Sequence, residues 1–137
     1  MSEIKVDTLT GKTTANDITV TVGATATMSL EQGLAKAWVN FNGTGTIATS
    51  DSLNISSLTD SGTGIYLSNF STAMSNANYC LLLSASDAYP NIGNCIAIWT
   101  DSGATTTARF GMVNINETTG SYFDSTVVCG SAKGDLA

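Results

Sequence analysis

From Ile18 to Ser29 every even position is apolar (Ile18, Val20, Val22, Ala24, Ala26, Met28) and every odd one is Thr, Gly or Ser. A period of two sustained over twelve residues predicts a β-strand. Ile4-Lys5-Val6-Asp7 reads as a shorter partner strand, with residues 11–17 as the turn between them. Two strands alone bury too little apolar surface to offset the ordering of their backbone. The arm must therefore dock on the rest of the chain or pair with other copies. Its apolar face tapers from Ile18, Val20 and Val22 to Ala24 and Ala26, which suits a narrow axis shared by several identical chains. Ile18, Val20 and Val22 are accordingly the candidate assembly residues.

The pattern changes at Ser29. Ser29 is a capping residue with Gln32 three positions on, and Leu30 and Leu34 stand at helical spacing, so residues 29–36 read as a short linker helix weakened by Gly33. From Ala37 short strand patterns return: Ala37–Phe41, Ser52–Leu58, Gly64–Phe70, Tyr79–Ser84, Cys95–Thr100, Thr106–Ile115 and Ser121–Cys129. Asn/Asp/Gly clusters separate them at 42–45, 59–64, 86–91, 101–103 and 116–120. Asn and Gly tolerate positive φ, and Asp bonds its own backbone. The expected fold is all-β: an antiparallel β-sandwich, or jelly-roll-like, body over 37–137, preceded by the linker and an extended β arm over 1–28.

Composition narrows the classes. Ser, Thr, Asn and Gly make up nearly half the chain, 42% is apolar, 12% is charged, and Pro90 is the single proline. Disordered chains are poorer in apolar residues and richer in charge, and helical bundles need Ala, Glu, Lys and Leu that are scarce here. The net charge is -6, and none of the five cations adjoins another, so no basic stripe exists to release counterions from phosphates. Nucleic acid is not an expected partner. The start of the chain lacks the basic and apolar segments of a signal peptide, and no apolar run exceeds five residues, so membrane insertion is not expected either. Cys80, Cys95 and Cys129 lack C-x-x-C spacing and lie in strand-like stretches; they read as buried free thiols, with a Cys80–Cys95 disulfide as the lesser reading.

Candidate chemistry is sparse. Histidine is absent, which removes Ser-His-Asp and Cys-His catalysis and histidine metal sites. Asp60, Asp87, Asp101 and Glu117 fall in turn clusters, where turn-making explains them better than a glycosidase pair. No calcium loop, phosphate loop or nucleophile elbow occurs. Neither cofactor nor metal is expected, and the chain reads as a non-enzyme. Trp38, Phe41, Phe70, Phe110 and Phe123 sit at strand positions and default to core or intersubunit packing. Asp87 and Tyr89 in one loop, and Trp99 and Asp101 in another, are the candidate surface-binding residues, since an aromatic beside polar groups can stack on a sugar and bind its hydroxyls.

The run Lys36-Ala37-Trp38-Val39-Asn40-Phe41-Asn42-Gly43-Thr44, with Ser52–Tyr66, Asn69-Phe70, Ala73-Met74 and Asn76–Tyr79, resembles the C-terminal domain of tail-fibre-like structural proteins of bacteriophages, marine cyanophages in particular. The opening Ile4–Thr10 is similar to the start of many such proteins, and Asp124–Val128 to the family's closing strand. The resemblance implies a homotrimeric fibre or spike on a virion, made in the host cytoplasm, released by lysis and contributing to adsorption. Its partners would be other copies of itself, another virion protein held through the arm, and a host-surface glycan or protein. The chain is short for a full tail fibre, so a capsid-decorating cement or head-fibre protein is the alternative.

Overall fold

The computed structural model describes residues 4–12, 18–22, 24–86, 94–101 and 103–137. It is nearly all β, with 54% strand and 3% helix. The chain divides into two compact units, Met1–Leu34 and Ala35–Ala137.

In the first unit the long alternation folds back on itself. β1 (Thr19–Val22) pairs antiparallel with β2 (Ala26–Ser29), with Val20 opposite Met28 and Val22 opposite Ala26. The expected partner Ile4–Asp7 is not a strand; the partner of β1 is β2, and a turn at Ala24-Thr25 leads into it. Period two conceals such a turn. With an odd number of residues in the connection, even positions still face even positions, so both strands carry their apolar side chains on one face. Residues 13–17 lie outside those described. The linker helix shrinks to one turn, α1 (Leu30–Gly33), and Ser29 precedes it without a side-chain capping bond.

The second unit is a sandwich of two four-stranded antiparallel sheets. β3 (Ala37–Asn42), β4 (Ala48–Leu53), β7 (Cys80–Ser86) and β10 (Val127–Lys133) form the first, in the order β4-β3-β10-β7. β5 (Ile55–Gly62), β6 (Ile65–Phe70), β8 (Asn94–Trp99) and β9 (Arg109–Asn116) form the second, in the order β5-β6-β9-β8. The inner faces meet in one core. Ala37, Val39, Phe41, Val128 and Ala132 of the first sheet pack with Tyr66, Phe70, Phe110 and Met112 of the second. Phe41 meets Tyr66 edge-on at 5.1 Å between ring centroids, and Phe70 lies 5.6 Å from Phe110.

Several expected boundaries move. The single strand read over Ser52–Leu58 is two strands in different sheets, parted at Asn54, whose φ of 55° turns the corner. Its side chain secures that corner: Asn54 Oδ1 accepts from the Thr72 amide at 2.7 Å and Nδ2 donates to the Thr72 carbonyl at 3.0 Å. Thr59–Ser61, expected in a turn, continue β5 because β6 offers partners to Thr59 and Asp60, with the register shifting between Asp60 and Gly62, and the reversal narrows to Thr63-Gly64. Thr106–Ala108 precede β9 instead of joining it, and the last strand runs to Lys133 instead of ending at Cys129.

Candidate functional site

Three groups of side chains merit attention: a polar cluster at one end of the sandwich, the outer face of the first sheet, and the apolar face of the arm.

The polar cluster is built around Tyr66, fully buried on β6. Its hydroxyl lies 2.9 Å from Asp124 Oδ1 and 3.2 Å from the Gly43 carbonyl, and Asp124 Oδ1 also accepts from the Gly64 amide at 2.7 Å. Asn114 Nδ2 donates to Ser125 Oγ and to the Phe123 carbonyl, while Asn114 Oδ1 is buried without a partner among the described residues. Burial, reinforced by the hydrogen bond and negative charge of Asp124, holds the Tyr66 phenol well above its ordinary range. A phenol so held stays protonated and is neither base nor nucleophile. The cluster ties the loop 123–125 to Gly43 and Gly64. A Cβ on Gly64, which has φ of 68°, would come within 2.8 Å of the Asn114 carbonyl. Tyr79, whose hydroxyl donates toward the Thr106 and Arg109 carbonyls at 2.9 and 2.7 Å, is pushed up to about 12 by burial. Both tyrosines went unnoticed in the sequence because their neighbours there, Ile65 and Cys80, are as apolar as any core strand.

The outer face of the first sheet carries an open trough of about 480 Å³. Its shape follows from strand order. β10 is central and turns small side chains outward, Cys129 and Ser131, whereas its neighbours β3 and β7 turn out Trp38 and Asn40 on one side and Leu82 and Ser84 on the other. The register sets these in two rows, Trp38–Ser131–Leu82 and Asn40–Cys129–Ser84. Trp38 is thus half-buried on an outer face and not a core residue: its neighbours Ala37 and Val39 take the inward positions. The first row extends to Leu53 on β4, 48% exposed, and Leu82 is 57% exposed. Cys129 is a half-buried free thiol and Cys80 an exposed one, so Cys80 is neither buried nor paired; both occupy outward positions of their strands. The Cys95 side chain lies outside those described.

The outer face of the second sheet is different. Leu67 and Val113 are each only 8% exposed, Ile65, Ala97 and Ile115 are half-buried, and Ala104 and Trp99 close over Gly111. Trp99, at the end of β8, is half-buried, and Asp101 is exposed with its carbonyl accepting the Ala104 amide at 2.7 Å, a turn role. Asp87 and Tyr89 lie outside the described residues. Trp99 and Asp101 thus belong to the second sheet and its following turn, apart from the first sheet's trough, of whose lining the sequence singles out only Trp38, for core or intersubunit packing, and Cys129, as a buried thiol.

In the arm, Val20 is 37% and Met28 46% exposed, Ile18 is half-buried with its carbonyl accepting from Leu30, and Ile4, Val6, Leu9 and Leu34 are more than half exposed. Val22 is paired to Ala26, its side chain lying outside those described. None of the unit's described residues is buried. Among the described residues no group of three or more Cys, Asp or Glu could hold a metal ion, and no helix is long and apolar enough to cross a membrane. No family model, no curated protein and no solved structure matches the chain.

Proposed function

We propose that the chain is a non-enzymatic structural protein of a phage particle, a homotrimeric fibre or spike component whose sandwich body is displayed and contributes to host-surface contact, while the arm joins copies to one another or to another virion protein. One observation carries the assembly part. The first unit has a paired β1–β2 ribbon and an aligned apolar face, yet none of its described residues is buried within the chain. An isolated two-stranded ribbon is marginal in water, and exposed aliphatic side chains on one face are the mark of a surface that something covers. Among the described residues no further strand pairs with either edge of the ribbon, and strands can add to such edges. The virion setting rests on the resemblance of residues 1–20 and 29–79 to tail-fibre-like proteins.

Native mass spectrometry or light scattering on the full chain tests the assembly: a trimer is expected, and a monomer at micromolar concentration overturns it. Immunolabelling of particles tests the location. Label at the tail fits the fibre, and label spread over the head replaces it with a capsid-decorating protein.

A further inference from the structure

We infer that the trough on the outer face of the first sheet is a binding site for an uncharged saccharide. The inference rests on reading the body as the displayed part of the protein, and it concerns a different surface from the arm.

The chemistry of the lining selects the ligand class. Trp38 and Leu82 provide apolar walls on opposite sides of Ser131, and the amide of Asn40 and the hydroxyls of Ser84 and Ser131 open into the same space. None of these three polar groups makes a side-chain hydrogen bond to the described residues, so their donors and acceptors remain for a ligand. Apolar walls with a few free polar groups in a volume of this size are the usual make-up of a small-ligand site. An aromatic face beside amides and hydroxyls matches the two surfaces of a pyranose: its C–H face packs on the ring while its hydroxyls are bonded at the edge.

Other occupants fit less well. No Asp, Glu, Lys or Arg lines the trough, and the whole chain is at -6, so neither an anionic polymer nor nucleic acid finds a counter-charge. An extended peptide gains most of its affinity by adding to a sheet edge. The trough runs instead over β10, which is laddered on both sides by β3 and β7, so its backbone has nothing left to offer. A second copy of the chain is the remaining competitor. It is expected against the more apolar outer face of the second sheet or the arm, not against a cleft whose polar groups it would have to match one by one.

The test is a panel of neutral oligosaccharides (maltohexaose, cellohexaose, chitohexaose and mannohexaose) with polygalacturonate as the acidic control, titrated into the full chain carrying Trp99→Phe so that tryptophan fluorescence reports Trp38 alone. At least one neutral member is expected to shift the emission with a roughly millimolar or tighter Kd, and polygalacturonate is expected to leave it unchanged. Asn40→Ala should weaken that binding about tenfold, and Ser131→Phe, which fills the floor from a half-exposed position, should abolish it with an unaltered melting temperature. Silence of the whole panel, or binding that survives Ser131→Phe, overturns the proposal. Sedimentation of the same variants separates the readings. If Ser131→Phe lowers the oligomeric state, the trough is a subunit contact and the saccharide site is refuted, whereas a chain that binds sugar as a monomer keeps the site and removes the trimer.

Discussion

At the scale of single residues, the body depends on a few polar anchors between loops. The Tyr66 hydroxyl is shared between a carboxylate and a carbonyl, with Asp124 also holding the Gly64 amide. Tyr66→Phe removes a hydrogen bond to a charged acceptor in a buried place, and urea denaturation should show about 1–3 kcal/mol lost. Alkaline stability follows from the same residue and from Tyr79. Tyrosine in an unfolded chain ionises near pH 10, whereas burial raises Tyr66 further than Tyr79, which stands at about 12. The folded state therefore keeps protons that the unfolded state has lost. Stability contributed by these phenols is complete below about pH 10 and declines as the pH rises toward 12. Melting temperatures taken across that interval should fall more steeply for the native chain than for the double variant Tyr66→Phe, Tyr79→Phe. An equal slope would show that neither phenol is held protonated by the fold.

At the scale of elements, the corner at Asn54 decides which sheet each half of residues 48–62 joins. A left-handed backbone costs a residue bearing a Cβ about 1 kcal/mol that glycine avoids. Asn54→Ala should accordingly destabilise by roughly 1 kcal/mol more than Asn54→Gly, both having lost the same bonds to Thr72; chemical denaturation of the pair reads the difference. This corner also shows where sequence reasoning succeeds and fails. Strands β3, β6 and β8 were legible because alternation or an apolar run is bounded by Gly, Asp or Asn. The break inside Ser52–Leu58 was not, since one positive φ leaves no mark on a polar and apolar pattern that resumes on the other side. Thr59, Asp60 and Ser61 carry turn chemistry, yet pairing along β6 overrides it. Trp38 shows residue type set above parity: the alternation puts Ala37, Val39 and Phe41 on one face and Trp38 with Asn40 and Asn42 on the other, and the tryptophan lies on the more polar face. The trough was illegible because it needs β10 between β3 and β7, a neighbourhood made of residues far apart in the chain. For the arm, Val20→Asp sets a charge on the apolar face of the ribbon, where burial in an assembly costs several kcal/mol. The variant should sediment as separate chains while its body melts as before.

At the scale of the whole molecule, every residue of the buried core lies in the second unit, between Ala37 and Ala132. Removing residues 1–34 should leave the body's cooperative thermal transition in place and remove self-association, which analytical ultracentrifugation measures. On the function and the site proposed above, cohesion would belong to the arm and recognition to the trough on one outer face of the body. A surface rich in Ser, Thr and Asn suits such an arrangement, because the groups that keep the exterior wetted are the same ones that can exchange water for sugar hydroxyls.

The position of β10 bears on how the molecule is made. This strand is synthesised after every other strand described, yet it lies in the middle of the first sheet, between the strand that opens the body and β7. Until it arrives, β3 and β7 are two open edges with apolar inner faces, and their closure joins residues from opposite ends of the body. Such long-range pairing is slow and exposes sticky intermediates. Synthesis therefore completes the sandwich in a single late step, and a chain stopped before Val127 should collect in the insoluble fraction even though most of its core residues are present. Damage within residues 127–137 would be felt before the protein performs any role, as loss of the polypeptide itself.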